Sequence, residues 1–217
     1  MRIDIYSDVI CPWCFIGKRR LERALAERPG LEVTFHWRAF QLNPDMPPGG
    51  MDRMAYLSAK FGGAEPAARV YEPVLTAAAG EGLGIDFDAI RRTPNTLLAH
   101  LLIRFAEPGA AQDRVVEALF DAYFRQGRDI GDKETLVAIA AEAGLDARAA
   151  GECLEDADAL AAVRAEDRRA RGLGVTGVPC FILDDRYSLS GAQEPETLFA
   201  FFDLGRESAE ARAAGSG

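Results

Sequence analysis

Histidine and cysteine are both scarce in this 217-residue sequence, which has two of the first and four of the second. A structural zinc site needs four such ligands, commonly as two closely spaced pairs. Cys11 and Cys14 make one pair, but Cys153 and Cys180 make no second and His36 and His100 stand far apart, which argues against bound zinc. Long apolar runs are also missing: none approaches the ~18 residues that span a bilayer. Positive charge is in the minority, with 25 Lys and Arg against 34 Asp and Glu, a net charge of -9 and a pI near 4.9. That balance turns the reading away from nucleic acid and membrane surfaces as partners. Met1 is followed almost at once by a strand pattern. With no basic n-region, apolar h-region or small-residue cleavage site, no secretory leader is expected and the expected location is cytoplasmic. Four cysteines without framework spacing fit a reducing compartment, where a disulfide is transient and catalytic. What the chain does have is core material: 48% of its residues are hydrophobic, enough for one large domain or two small ones.

The informative stretch comes first. Ile3-Asp4-Ile5-Tyr6 reads as a strand, Cys11-Pro12-Trp13-Cys14 as a turn, and Trp13, Ile16, Leu21 and Leu25 recur at helical spacing. Cys11 therefore falls at a helix N-terminus. Pro12 suits the first helical turn because it lacks an N–H that would go unpaired there. The free N–H groups and the helix dipole favour an anion at that cap, and a thiolate is such an anion. Thiols so placed titrate below the free value of ~8.5 and attack disulfides as thiolates. Cys14, one turn further in, is expected to be shielded and to act as the resolving thiol. A purely structural disulfide is a poor alternative, since a two-residue spacer closes almost no loop entropy.

Further along, Pro29-Gly30 breaks the chain, and Leu31, Val33, Phe35 and Trp37 alternate with polar residues as a second strand. Phe40 to Gly50 is rich in Pro, Asn and Gly and reads as a loop. From about Met51 to Gly172 the signals are helical, with almost no strand pattern. Leu97, Leu98, Leu101, Leu102 and Phe105 form one apolar stripe, and Val115, Val116, Leu119, Phe120 and Tyr123 another. Asp132 is placed to cap a helix that stops at Gly144, and a further helix ends near Gly172. Gly172-x-Gly174-x-x-Gly177 has dinucleotide-loop spacing but follows a helix and precedes a strand, the wrong context for that motif. Phe181-Ile182-Leu183, a turn at Asp184-Asp185-Arg186, and Tyr187 to Ser190 read as a hairpin. Glu194-Pro195 opens a last helix with Leu198, Phe199 and Phe202 facing in, and the polar tail beyond Gly205 is expected to fray. Lys18, Arg19, Arg20 and Arg23 read as a solvated helix face. His36 and His100 are read as structural. Asp8 fits either a turn-former or a proton relay to Cys14.

Strand, helix, strand, helical block, hairpin and helix, with a CxxC at the first strand–helix junction, form a thioredoxin-like redox signature. The chain resembles the DsbA family of the thioredoxin superfamily, in its cytoplasmic FrnE-like branch. The matching stretches are Ser7 to Cys14, Phe40 to Pro48, Asn95 to His100, Gly127 to Asp132, Gly174 to Pro179 and Ser190 to Gln193. The resemblance implies an α/β thioredoxin fold with a large all-helical insertion: residues 1–45 and 173–217 thioredoxin-like, and 46–172 a helical insertion lying over the redox turn. It implies a thiol–disulfide oxidoreductase, an oxidase or isomerase of protein or small-molecule disulfides. Catalysis would fall to Cys11 and Cys14, with Pro12 and Trp13 tuning them. A cis bond between Val178 and Pro179 would lie against the thiols, and the Val178 backbone would pair with extended substrate. No metal or organic cofactor is implied, though glutathione is a possible exchange partner. Relatives in the same superfamily are glutathione-dependent 2-hydroxychromene-2-carboxylate isomerases and kappa-class transferases; these commonly carry serine at the position of Cys11, and they define the alternative function. Cys180 stands where the family usually has an aromatic residue or threonine. Strand alternation turns it away from the thiols, as a small buried hydrophobe with little reactivity.

Overall fold

The computed structural model describes residues 1–214, with side chains through Ser208. In chain order the elements are β1 (Arg2–Ser7), α1 (Pro12–Ala26), β2 (Thr34–Ala39), β3 (Met51–Asp52), α2 (Arg53–Phe61), α3 (Ala64–Gly80), β4 (Arg92–Thr93), α4 (Leu97–Phe105) and α5 (Ala110–Phe124). They continue with α6 (Lys133–Glu142), α7 (Ala147–Cys153), α8 (Ala157–Gly172), β5 (Cys180–Leu183), β6 (Tyr187–Ser190) and α9 (Pro195–Ala214). The main sheet has the order β2-β1-β5-β6; β1 and β2 are parallel and the other neighbours antiparallel. This is a thioredoxin fold with helices inserted between β2 and β5.

Alternation along the strands gives the sheet two distinct faces. Ile3, Ile5, Trp37, Phe181 and Leu183 join the large core together with α1 and α9, while Tyr6 and Cys180 pack on the other face with Phe40, Ala170 and Val175. The large core runs without a break into the helices, because Phe15 of α1 stacks on Phe120 and Phe124 of α5 at centroid distances of 5.0 and 6.0 Å. Helix starts follow their side chains. Asp52, Asp132, Asp146 and Asp156 accept backbone N–H groups at the starts of α2, α6, α7 and α8, offsetting donors that the first turn leaves unpaired.

Several expectations need correction. The helical block holds one small ladder, β3 against β4, whose two-residue strands are too short to show a period. Trp13 lies outside the apolar stripe of α1 and is 36% exposed. On α9 the buried large apolar side chains are Leu198, Phe201 and Phe202; Phe199 is half-buried beneath the Arg28 guanidinium, 4.9 Å from its ring. The chain beyond Gly205 continues as helix to Ala214, and the last three residues lie outside the described ones. The basic cluster on α1 is not a solvated face. Lys18 is 3% exposed and meets Glu22, Asp113 at 3.1 Å and Glu117 at 3.1 Å; Arg20 bonds Glu81 at 2.9 Å and Glu194 at 2.6 Å. These acids pair the cluster's charge.

Candidate active site

Cys11 is the N-cap of α1, with an extended backbone (φ -91°, ψ 110°) and Pro12 at the first helical position. Its amide donates to Asp8 O at 2.9 Å, and its carbonyl accepts from Cys14 N at 3.0 Å, which closes the turn. Both thiols are free and buried, Cys11 at 5% exposure and Cys14 at 1%. Burial first, and the adjoining Cys11 sulfur second, push the Cys14 thiol well above the ordinary range.

The chain returns to this turn from the far end of the sequence. The Val178–Pro179 bond is cis, and the Cys11 thiol donates to the Val178 carbonyl oxygen at 3.5 Å. Two features position that loop. Gly191, in the left-handed region at φ +86°, donates its N–H to Pro179 O at 2.8 Å. Gly17 of α1 faces the proline ring so closely that a Cβ there would lie 2.9 Å from Pro179 Cγ. The residues singled out by sequence, Cys11, Cys14, Pro12, Trp13, Val178 and Pro179, thus converge at one place. Cys180 does not join them: it sits on the opposite face of the sheet with the Ser190 hydroxyl 3.9 Å away, and burial raises its thiol.

Beneath the turn lies a buried polar web that sequence reasoning did not assemble. Asp8 is fully buried; its backbone carbonyl closes the turn to Cys11, and one carboxylate oxygen accepts from Leu42 N at 2.7 Å, so its side chain also clasps the loop after β2. Its other oxygen faces His100 Nε2 at 3.4 Å, and neither atom closes a hydrogen bond. Gln41 Nε2 donates to Asn95 Oδ1 at 3.3 Å and Thr96 Oγ1 at 3.4 Å, and Asn95 Nδ2 donates to Met46 O at 2.6 Å. The motifs around 41 and 95 therefore interlock. Only their polar residue types hinted at this, since their partners lie 49 to 55 positions apart. His36 belongs to a separate cluster with Asp4 and Arg38. Burial first, and Arg38 second, lower its pKa.

A four-stranded sheet of this order, with a CxxC after its first strand and a cis-proline against it, defines a thioredoxin-fold protein. Residues 2–202 match the DSBA-like thioredoxin domain, and the chain belongs to that family. It is similar to a solved structure of a probable DsbA oxidoreductase from Streptomyces coelicolor, at 34% identity and TM-score 0.82, covering 95% of this chain and 90% of that one. The fold is shared with a 2-hydroxychromene-2-carboxylate isomerase, at 19% identity and TM-score 0.70, covering all of both chains. It is shared too with the cytosolic disulfide reductase DsbM of Pseudomonas aeruginosa solved with glutathione, at 21% identity and TM-score 0.61, covering 95% of this chain and all of that one. Among the described residues no helix is long and apolar enough to cross a membrane, and no three His, Cys, Asp or Glu cluster as metal ligands.

Proposed function

We propose that the chain exchanges disulfides through a mixed disulfide on Cys11, acting on protein or small-molecule substrates in the cytoplasm. The observation that carries this reading is Cys11 at the cap of α1, its thiol 3.5 Å from the Val178 carbonyl, with Cys14 buried one turn behind it. In the reducing direction the Cys11 thiolate attacks one sulfur of the substrate disulfide, that S–S bond breaks, and the departing thiolate takes up a proton. Cys14 then loses its proton and attacks Cys11 Sγ, which releases the second substrate thiol and leaves a Cys11–Cys14 disulfide. The reverse steps oxidise a dithiol. The raised pKa of Cys14 suits this order: the Cys11 charge that helps keep it protonated disappears once Cys11 is in the mixed disulfide.

Substrate docking follows from the same geometry. Among the described residues the Val178 amide and carbonyl take no part in the sheet ladders or turn bonds; the carbonyl meets the Cys11 thiol alone, a contact that an extended substrate backbone would replace as it pairs there. Trp13 and Leu42, each 36% exposed, give the turn an apolar rim. In this reading residues 1–45 and 173–217 form the redox domain and 46–172 a helical insertion beside it. Tyr56 and Phe61 of α2 support that placement, since they line one cavity with Ile10 and Pro12. The chemistry calls for neither metal nor organic cofactor, and glutathione serves as an exchange partner.

The test is Cys11→Ser assayed for disulfide exchange and, in parallel, for glutathione-dependent isomerase and transferase activity. Exchange is expected to be lost and the other two activities to be absent. Serine is the residue that isomerase relatives commonly carry there, so a Cys11→Ser protein active as an isomerase or transferase would replace this reading with the alternative.

A further inference from the structure

Lys18 and Arg53 are the two buried Lys or Arg residues among the described residues, and their surroundings differ. Lys18 meets three carboxylates. Arg53, 8% exposed, meets none; its guanidinium donates to two neutral hydroxyls, Thr93 Oγ1 at 3.1 Å and Tyr71 OH at 2.9 Å. Ring faces of Tyr56 and Tyr71, each 5.7 Å away, soften that charge without neutralising it. In a chain of net charge -9 this is no shortage of acid. The adjacent Asp52 carboxylate is turned to the start of α2, where it accepts Ala55 N. A buried charge without a counter-ion is costly, and an incoming anion would remove the cost.

Arg53 lines a cavity of about 90 Å³ whose wall includes Ile10 and Pro12, the residues on either side of Cys11. Lys60 enters the same space; it donates to Tyr56 OH at 2.7 Å and Asn43 Oδ1 at 3.4 Å, with no carboxylate partner among the described residues. The Tyr56 and Tyr71 hydroxyls accept from these cations and so keep their own protons to donate. The Tyr123 hydroxyl, on the same wall and buried, has no hydrogen-bond partner. Two cations and three hydroxyl donors, without an acid, describe an anion receptor.

We infer that this cavity receives a carboxylate of a small thiol or disulfide substrate and so brings the substrate's sulfur to Cys11. The inference rests on the proposed redox function and narrows its substrate to a carboxylate-bearing class. Binding can be measured apart from turnover in a Cys11→Ser/Cys14→Ser double variant, titrated calorimetrically with glutathione and with glutathione diethyl ester, whose carboxylates are blocked. The acid is expected to bind about tenfold or more tighter than the ester, as loss of a charge-assisted hydrogen bond implies. Adding Lys60→Met should weaken the acid about tenfold and leave the ester unchanged. Tyr123→Phe, which keeps the ring, should weaken the acid in the same selective way and covers the case in which Arg53→Met fails to fold. Equal affinity for acid and ester, no effect of Lys60→Met, or no binding to the double variant would overturn the inference. The redox reading is judged separately by wild-type exchange of the neutral bis(2-hydroxyethyl) disulfide. Exchange there without preference for the acid refutes the anion site alone; selective acid binding without any exchange refutes the redox reading alone.

Discussion

At the scale of single residues, the pair of thiols shows what a local motif can reveal and what it hides. A two-residue spacer, a proline and a following apolar period place Cys11 at a helix cap, and the structure puts it there. Asp8 with His100 was invisible for the opposite reason: the pair is brought together by the fold, and no spacing in the chain marks it. Arg53 and Lys60, seven residues apart on α2, share a helix face, but nothing in that spacing shows the cavity beside Cys11 that they line. Cys14 carries a pH signature. Because burial holds its thiol above the ordinary range, the folded dithiol keeps a proton that the unfolded chain releases above ~8.5. The folded state then binds more protons, so stability is level below that pH and falls as pH rises towards the raised pKa. Tyr123, raised by burial, adds loss of the same sign above about 10. Urea unfolding of the reduced wild type and of Cys14→Ala at pH 7 and pH 9.5 isolates the thiol: the stability of wild type relative to the variant should decline with pH. A constant difference would remove Cys14 from the account.

Elements were legible where a period had room to repeat. The stripes of α4 and α5 and the Asp132 cap of α6 fall where the pattern puts them, whereas β3 and β4 have two residues each and no period at all. On α1 the residue types misled, since a run of four basic side chains resembles a wet surface until the acids of α5 and Glu81 are seen beside it. Burial pulls the Lys18 ammonium down, but Asp113, Glu22 and Glu117 together outweigh it and hold the pKa above its usual value. Lys18→Met should lower stability by about 2 kcal/mol in chemical denaturation, less than for a dry ion pair because water screens the half-exposed carboxylates. An unchanged midpoint would mean the cluster does not tie α1 to α5. Gly17 makes a sharper test of the same helix. Propensity alone predicts that Gly17→Ala stabilises by about 1 kcal/mol. A methyl 2.9 Å from the Pro179 ring predicts instead a loss of stability and exchange slowed about tenfold, as the Val178–Pro179 loop is pushed from Cys11. A stabilised, fully active variant would show that this approach does not set the site.

Over the whole molecule, strand type and order along the chain pointed to a thioredoxin fold, but the spatial order β2-β1-β5-β6 was beyond reach of the pattern, because pairing is decided between segments far apart. The same separation governs function. Val178 is 167 residues from Cys11, yet its carbonyl lies against the thiol because β5 pairs with β1 and delivers the loop before it to the start of α1. Cys180, two residues on, is carried to the opposite face by the alternation of that strand. The account therefore assigns the mixed disulfide with substrate to one sulfur, that of Cys11. The direct measurement is Cys14→Ser incubated with a disulfide substrate without reductant, then digested and mapped by mass spectrometry. A mixed disulfide that accumulates on Cys11, with Cys153 and Cys180 free, is the predicted result. Substrate recovered on Cys180 or Cys153, or no adduct on Cys11, would contradict it.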